Sequence, residues 1–168
     1  MAAWAAAALI LLAPLVAMQF TDEVSWTVSD FVFADVLIFG ALGAYELAAR
    51  RAGNTAYRAA VGVALATAVL LVWTNAAVGI TDGTADTLYT AVPAVGIIGA
   101  IVARFHPRGV ARAMFATALA QALVGVTALI AGIVPAHNSA FEILAITAFF
   151  AALFIGSALL FREAARGT

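Results

Sequence analysis

Five polar side chains stand within or beside long apolar stretches of this sequence, where they could bind a proton, a cation or a small solute. They are Asp30, Asp35, Asn75, Tyr89 and Gln121. Polar and ionisable side chains are costly inside a bilayer and usually face the interior of a helix bundle or a water-filled cavity. Asp35 is the most informative of the five, because the apolar residues around it offer no partner. It is therefore the first candidate for an ion-binding residue.

The distance along a helix from the nearest Arg gives the depth at which each polar side chain is expected. Asp35 lies fifteen positions before Arg50, and Asn75 lies seventeen positions after Arg58. These separations are about 22 Å and about 25 Å, at about 1.5 Å per helical residue. Gln121 follows the closest Arg of its own helix by nine positions. We therefore expect Asp35 and Asn75 at similar depth in the outer half of a membrane, and Gln121 near its midplane.

Each of these side chains also has a purely structural interpretation. Asp35 could be protonated or hydrogen-bonded and tie two helices together, and the amides of Asn75 and Gln121 could do the same. Pro93 has no backbone N–H, so it frees a carbonyl one turn back, near Tyr89, and could kink the helix towards the polar residues. The sequence leaves the binding-site and the helix-tie interpretations open.

Enzymatic chemistry has little support in the sequence. The chain has no Cys, which excludes thiolate catalysis and Cys-ligated metals, and it carries no phosphate-binding Gly loop or metalloprotease motif. His106 and His137 fall in loops expected on opposite faces of the membrane, so they cannot jointly hold a haem, and no ligand spacing indicates a metal site. Asp30 and Asp35 point about 140° apart on one helix and do not converge as an acid–base pair. The sequence identifies no cofactor, because a lipid, quinone or pigment in an apolar groove leaves no signature.

The Arg residues determine the expected topology. All eight basic residues are Arg, and they fall in three clusters at the ends of apolar runs. The clusters span residues 50–58, 104–112 and 162–166. Because basic residues are retained on the cytoplasmic side, this pattern predicts a polytopic membrane protein with both termini cytoplasmic. Topology accounts for the Arg clusters, so we expect no nucleic-acid partner.

The composition predicts a single all-α transmembrane bundle over residues 1–168. The chain is 65% hydrophobic and 10% charged, whereas soluble domains average about 25% charged residues. A spanning helix needs about 20 apolar residues. The predicted helices cover residues 3–20, 29–49, 56–80, 87–105, 110–134 and 141–162. The first run lacks a basic leading segment and a cleavage pattern, so we expect a retained helix rather than a signal peptide.

Short motifs mark where the predicted helices begin and end. Residues 27–30 and 139–142 have the Ser/Thr-x-x-acid pattern of a capping box, which satisfies free N–H groups at a helix start. Pro and Gly within residues 106–109 break the chain between the fourth and fifth helices. The loops are short, so neighbouring helices are expected to pack antiparallel.

Pairs of Gly residues predict where helices approach each other closely. Gly40 with Gly43 and Gly96 with Gly99 are relatives of the Gly-x-x-x-Gly pattern, whose small residues let two helix backbones come together. Glu46 precedes an Arg by four positions, which suits a salt bridge along one helix.

Three stretches of the sequence resemble a known group of proteins. They are AMQFTDEVSW at 17–26, YELAARR at 45–51 and ARFHPRGVARAMFATALAQALV at 103–124. In these stretches the chain resembles an uncharacterised family of small six-helix inner-membrane proteins of Gram-negative bacteria, and the resemblance covers most of the chain. It implies a bacterial inner membrane, and it transfers no activity and no catalytic residue.

Three functions are compatible with the sequence. The favoured one is a non-enzymatic accessory or structural bundle that interacts with membrane lipids or joins a homo-oligomer or a larger membrane complex. The second is a protein that binds or transports a proton, a cation or a small solute at an outer-leaflet site around Asp35 and Asn75. The third is an intramembrane enzyme that modifies lipids.

Overall fold

The protein is all-helical in a computed structural model that describes residues 2–21, 24–78, 80, 84–133 and 139–167. Within these ranges there are six helices and no strands, as the sequence predicts. The helices are α1 (Ala2–Ala17), α2 (Val28–Arg51), α3 (Thr55–Val78), α4 (Thr84–Val102), α5 (Pro107–Ile130) and α6 (Ala140–Ala164).

Side chains that accept backbone N–H groups determine where α2 and α6 begin. At α6 the backbone N of Ser139 donates to Glu142 Oε2 at 2.8 Å, and the backbone N of Glu142 donates to Ser139 Oγ at 3.2 Å. At α2 the backbone N of Thr27 donates to Asp30 Oδ2 at 2.7 Å, and the Thr27 hydroxyl donates to the same oxygen. Both predicted capping boxes are confirmed, and Asp30 has a structural role at the start of α2.

The connection between α4 and α5 differs from the predicted boundaries. α4 ends at Val102 rather than at 105, because Arg104 and Phe105 have φ angles of 49° and 61°. This left-handed backbone cannot continue a right-handed helix. α5 then begins at Pro107 rather than at 110. Proline suits the first turn of a helix, since its missing N–H would have no partner there.

Three further helices end before their predicted boundaries. α1 ends at Ala17 and α3 at Val78, where residues 20 and 80 were expected. α5 ends at Ile130 rather than at 134, and Gly132 follows with a φ of 67°, a left-handed position that commonly terminates helices. His137, which the sequence places in a loop, lies outside the described residues.

The chain divides into two compact units, Met1–Arg50 and Arg51–Thr168. In the second unit α5 packs against α4 and α6, and α3 packs against α6 and, over a smaller area, against α4. The largest fully buried apolar side chains at the centre of this four-helix unit are Tyr89, Phe154, Phe161 and Leu71. Each helix buries one face, and the opposite faces expose large apolar side chains suited to lipid.

Two of the four predicted seam glycines pack closely in the second unit. A Cβ at Gly99 would lie 2.5 Å from Ala113 Cβ, and one at Gly96 would lie 2.8 Å from Met114 Cε. α4 and α5 therefore approach at the Gly96–Gly99 seam, as predicted. A Cβ at Gly40 or Gly43 on α2 would meet nothing within 4 Å, so close helix packing at this pair stays a prediction.

Three Arg-bearing segments of the second unit meet at one end of it. They are the start of α3, the connection between α4 and α5, and the end of α6. The Tyr57 hydroxyl at the start of α3 donates to the carbonyl of Phe105, after α4, at 3.1 Å. Asn54 Nδ2, just before α3, donates to the carbonyl of Ala164, at the end of α6, at 3.1 Å. The acidic first turns of α4 and α6 begin at the other end. Asp86 and Glu142 thus lie at the end opposite the Arg residues, whereas Glu163 lies among the Arg residues and pairs with Arg166.

The first unit is an α1–α2 hairpin held near one end. The Trp4 indole N–H donates to Glu46 Oε1, and the Trp4 ring stacks on Phe39 with centroids 5.6 Å apart. The predicted salt bridge is present, with Arg50 Nη2 3.2 Å from Glu46 Oε2. Ala34 is the only buried residue of α2 among those whose exposure is described. α2 therefore presents most of its surface outward.

Among the described residues, four helices are long and apolar enough to cross a membrane, and these properties indicate a membrane protein. They are the helices at Val28–Arg50, Thr55–Ala77, Pro107–Ile130 and Ala140–Ala164. α1 and α4 are apolar but shorter over their described residues.

Candidate functional site

Asn75 joins α3 to the start of α4. Its side chain is 8% exposed, and Nδ2 donates to the Asp86 carbonyl at 2.8 Å and to Thr90 Oγ1 at 2.9 Å. The Asp86 carboxylate in turn accepts the backbone N–H of Ile80 at 3.1 Å. Asn75 Oδ1 is enclosed and has no hydrogen-bond partner among the described residues. The Asn75 side chain therefore links α3 to the first turns of α4, and its Oδ1 is left as a free acceptor among the described residues.

Tyr89 joins α4 to α6 rather than to Asn75. Its side chain is fully buried, and its hydroxyl lies 3.2 Å from Thr147 Oγ1. Thr147 also lies directly against Gly125 of α5, where a Cβ would be 2.5 Å from Thr147 Cγ2 and 2.9 Å from Thr147 Cβ. Three helices therefore meet around Thr147, and the close approach of α5 depends on glycine at 125.

Gln121 lies in the interior of the second unit with no hydrogen-bond partner. Its side chain is 0% exposed, and neither Oε1 nor Nε2 is hydrogen-bonded to any described residue. Thr117, one turn earlier on the same helix, uses its hydroxyl locally, since Oγ1 donates to the Ala113 carbonyl at 2.9 Å. The Thr117 hydroxyl therefore has a hydrogen-bond partner within its own helix, whereas the Gln121 amide has none among the described residues. A buried amide without partners is uncommon, because leaving such a group unpaired costs free energy.

Asp35 belongs to the first unit and is exposed on the surface of α2. α2 is continuous from Val28 to Arg51, so the spacing of Asp35 from Arg50 corresponds to about 22 Å along the helix. Asp35 has no hydrogen bond or ion pair with any described residue, whereas Asp30 on the same helix is engaged with Thr27. The two carboxylates therefore differ in kind, since one caps a helix and the other is unpaired on an apolar surface.

The structure groups the predicted site residues into three separate places. Asn75 lies at the α3–α4 connection, Tyr89 and Gln121 lie in the core of the second unit, and Asp30 and Asp35 lie on α2. A site shared between Asp35 and Asn75 stays a prediction. Within the described ranges no group of three His, Cys, Asp or Glu side chains is placed to hold a metal ion.

Two buried hydroxyl residues of α6 were missed by the sequence interpretation. Thr147 bonds Tyr89, and the Ser157 hydroxyl donates to the Ala60 carbonyl of α3 at 2.9 Å. A signal was present, since six of the eight buried positions of α6 alternate in steps of four and three residues. They are Ile143, Thr147, Phe150, Phe154, Ser157 and Phe161, and the other two are Ala158 and Ala164. This periodicity assigns both hydroxyls to the core-facing side of the helix.

The polar groups of the second unit mostly tie helices together. They link α3 to α4, α3 to α6 and α4 to α6, and none of the described links pairs two ionisable side chains in the interior. Comparison of the chain with family models, with curated proteins and with solved structures gives no match. Within the described residues, the unpaired Asp35 and the unpaired Gln121 are the two features of this chain that bear on its function.

Proposed function

We propose that this protein is a non-enzymatic, multi-pass accessory protein of a bacterial cytoplasmic membrane, and that α2 binds a membrane-spanning helix of another protein. The observation that carries the proposal is Asp35, a carboxylate exposed and unpaired on an apolar helix. The positive-inside rule supports an orientation in which the Arg-bearing ends and both termini face the cytoplasm. The sequence resemblance supports the choice of membrane.

The surface of α2 beside Asp35 has the composition of a helix-binding face. A stripe of small and apolar residues, here called the α2 seam, follows one side of the helix in steps of four, four, three and four residues. It consists of Val32, Val36, Gly40, Gly43 and Leu47. Val36 is 69% exposed and Leu47 is 61% exposed, and both glycines have open space where a Cβ would stand. Glycines at such a stripe let a second helix approach to backbone contact.

Charge favours a different protein over a second copy as the occupant of the α2 seam. An ionisable residue at membrane depth is normally paired, and a Lys or Arg of a neighbouring helix is the strongest partner for a carboxylate. Every basic residue of this chain is an Arg near a helix end, and Asp35 is about 22 Å from the one at the end of its own helix. A second copy would add another Asp35 and no cation at that level. The partner helix is therefore expected to carry a Lys or an Arg in its outer half.

The polar core of the second unit supports a non-enzymatic role. General acid–base catalysis needs two titratable groups within hydrogen-bond reach of one substrate. Asn75, Tyr89 and Ser157 instead bond backbone carbonyls and hydroxyl groups of neighbouring helices. This use of polar groups is typical of a structural bundle.

Affinity purification from the native membrane, followed by native mass spectrometry, tests the proposal. Asp35→Asn removes the charge and should release a co-purifying membrane subunit. Asp30→Asn is the matched control, because it makes the same change on the same helix at a residue already engaged in capping, and it should retain the subunit. A monomer or homodimer of unchanged composition in all three proteins would overturn the proposal.

A further inference from the structure

The buried side-chain amide of Gln121 has unused hydrogen-bonding groups, which partner binding at α2 does not explain. A Gln side chain offers two N–H donors and one carbonyl acceptor, and at 0% exposure none of these is used within the described chain. Water is scarce inside a bilayer, so an unpaired polar group there is more costly than at a protein surface. A group that both donates and accepts a hydrogen bond would satisfy this side chain.

Two close helix contacts determine the level of Gln121 in the bundle. On one side Thr117 lies against Gly96 of α4, and on the other side Gly125 lies against Thr147 of α6. Gln121 is one helical turn, about 6 Å, from each of these contacts. Because α4 runs antiparallel to α5, four residues from Gly96 towards its start reach the level of Gln121, at Val92 and Pro93.

The same level of α4 supplies a second polar group. Pro93 is buried inside α4 and has no N–H, so the carbonyl of Tyr89 lacks its usual helical donor. The Tyr89 hydroxyl is paired with Thr147 at 3.2 Å, which is long for an O–H···O bond, whose usual length is about 2.7–2.8 Å. The Gln121 amide and the Tyr89 carbonyl therefore lie at similar levels between α4 and α5, and the Tyr89–Thr147 hydroxyl pair lies about one helical turn away, at the level of Gly125.

The surroundings of this level of the bundle select an uncharged ligand. Tyr89 is the only titratable residue that the described part of the chain places beside it, and the Asp86 carboxylate, one turn before Tyr89 on α4, already accepts the backbone N–H of Ile80. No counter-charge is available for an ion. Val92 of α4 and Phe150 of α6 are buried apolar residues. An apolar wall with a few polar groups is suited to one small polar group, or to a lipophilic molecule with a single polar end.

We propose that the layer around Gln121 and the Tyr89 carbonyl is a binding site for one uncharged hydroxyl group, supplied by water or by a lipophilic alcohol. The hydroxyl donates to one carbonyl oxygen and accepts from Gln121 Nε2. The site is independent of Asp35 and of the α2 seam, because it lies wholly within α4–α6.

The chain offers a simple spectroscopic test, since Gln19 and Gln121 are its only glutamines and Gln19 is exposed. Protein labelled with ¹⁵N at the Gln side chains is studied in deuterated detergent micelles, and Gln121→Leu assigns the buried amide signal. The readouts are cross-peaks from the Gln121 amide protons to water, and shifts of its signal on titration with 1-octanol. Octane, which lacks the hydroxyl, is the matched control ligand.

Either of two results would support the proposed hydroxyl-binding site. A persistent water cross-peak at Gln121, unaffected by 1-octanol, identifies water as the ligand, and a shift with 1-octanol but not with octane identifies a lipophilic alcohol. Thr117→Val, which removes a hydroxyl already satisfied within α5, should leave either result unchanged. A Gln121 amide with neither a water cross-peak nor a response to 1-octanol would overturn the proposal.

Discussion

Replacement of Gly125 by Ala should separate α5 from α6, and the structure gives its magnitude. The new Cβ would lie 2.5 Å from Thr147 Cγ2 and 2.9 Å from Thr147 Cβ, and it would also contact Thr147 Oγ1. Ordinary contacts between carbon atoms are about 3.5–4.0 Å. Rotation of the Thr147 side chain cannot relieve the overlap with its Cβ, so the two helices must move apart. Overpacking of this kind costs about 1–3 kcal/mol.

Gly156→Ala is the matched control within α6. A Cβ at Gly156 meets nothing within 4 Å, so this change retains only the gain in helix propensity, about 1 kcal/mol. The same gain applies at Gly125, and the difference in unfolding free energy between the two variants therefore isolates the overlap with Thr147. We expect Gly125→Ala to be less stable than Gly156→Ala by about 1–3 kcal/mol.

Denaturation by SDS in mixed micelles, followed by near-UV circular dichroism, measures this difference. The double variant Gly125→Ala with Thr147→Ala should recover part of the loss, because it removes the two outermost overlapping atoms. Equal stability of Gly125→Ala and Gly156→Ala would refute the assigned packing of α5 against α6.

Three further changes test individual contacts, each by the unfolding free energy in the same assay. Ser157→Ala removes the hydroxyl bonded to the Ala60 carbonyl and should cost about 0.6 kcal/mol, the average for such bonds in membrane proteins; a loss above about 2 kcal/mol would contradict this. Ser139→Ala removes the cap of α6 and should cost about 1 kcal/mol, and no loss would show that the cap is not formed. Glu46→Gln should change the unfolding free energy by less than about 0.5 kcal/mol, because the exposed ion pair with Arg50 is weak and the new amide carbonyl still accepts from Trp4. A larger loss would contradict these two roles of Glu46.

The number and type of helices could be predicted because local rules determine them. Apolar runs of spanning length predicted six helices, and the Ser139–Glu142 and Thr27–Asp30 pairs marked two of their starts. The left-handed backbone at Arg104 and Phe105 could not be predicted. Neither residue type favours this conformation, in which the Phe105 N–H donates to the Ala100 carbonyl and the Phe105 carbonyl accepts from Tyr57 of α3.

The candidate site was only partly predictable, because one sequence pattern can have different environments. Gly40–Gly43 and Gly96–Gly99 have the same spacing, yet one pair is open and the other packs on α5. The sequence marked Gln121 as a buried polar residue but could not indicate whether another helix would pair with it. That outcome depends on how α4, α5 and α6 cross, which is a property of the folded chain.

Photo-crosslinking from α2 in living cells tests whether α2 binds another membrane protein beside Asp35. Val36 belongs to the α2 seam, is 69% exposed and is adjacent to Asp35 in the sequence. A photoreactive amino acid in its place would therefore contact a helix bound at the seam. At Phe39, which stacks on Trp4, the same group is the matched control and should react within its own chain.

We expect a cross-link from position 36 to one membrane polypeptide whose spanning helix carries a Lys or Arg in the outer half of the membrane. Asp35→Asn should abolish that cross-link. Cross-links from position 36 only to lipid or to a second copy of this chain, unchanged by Asp35→Asn, would contradict the proposed function.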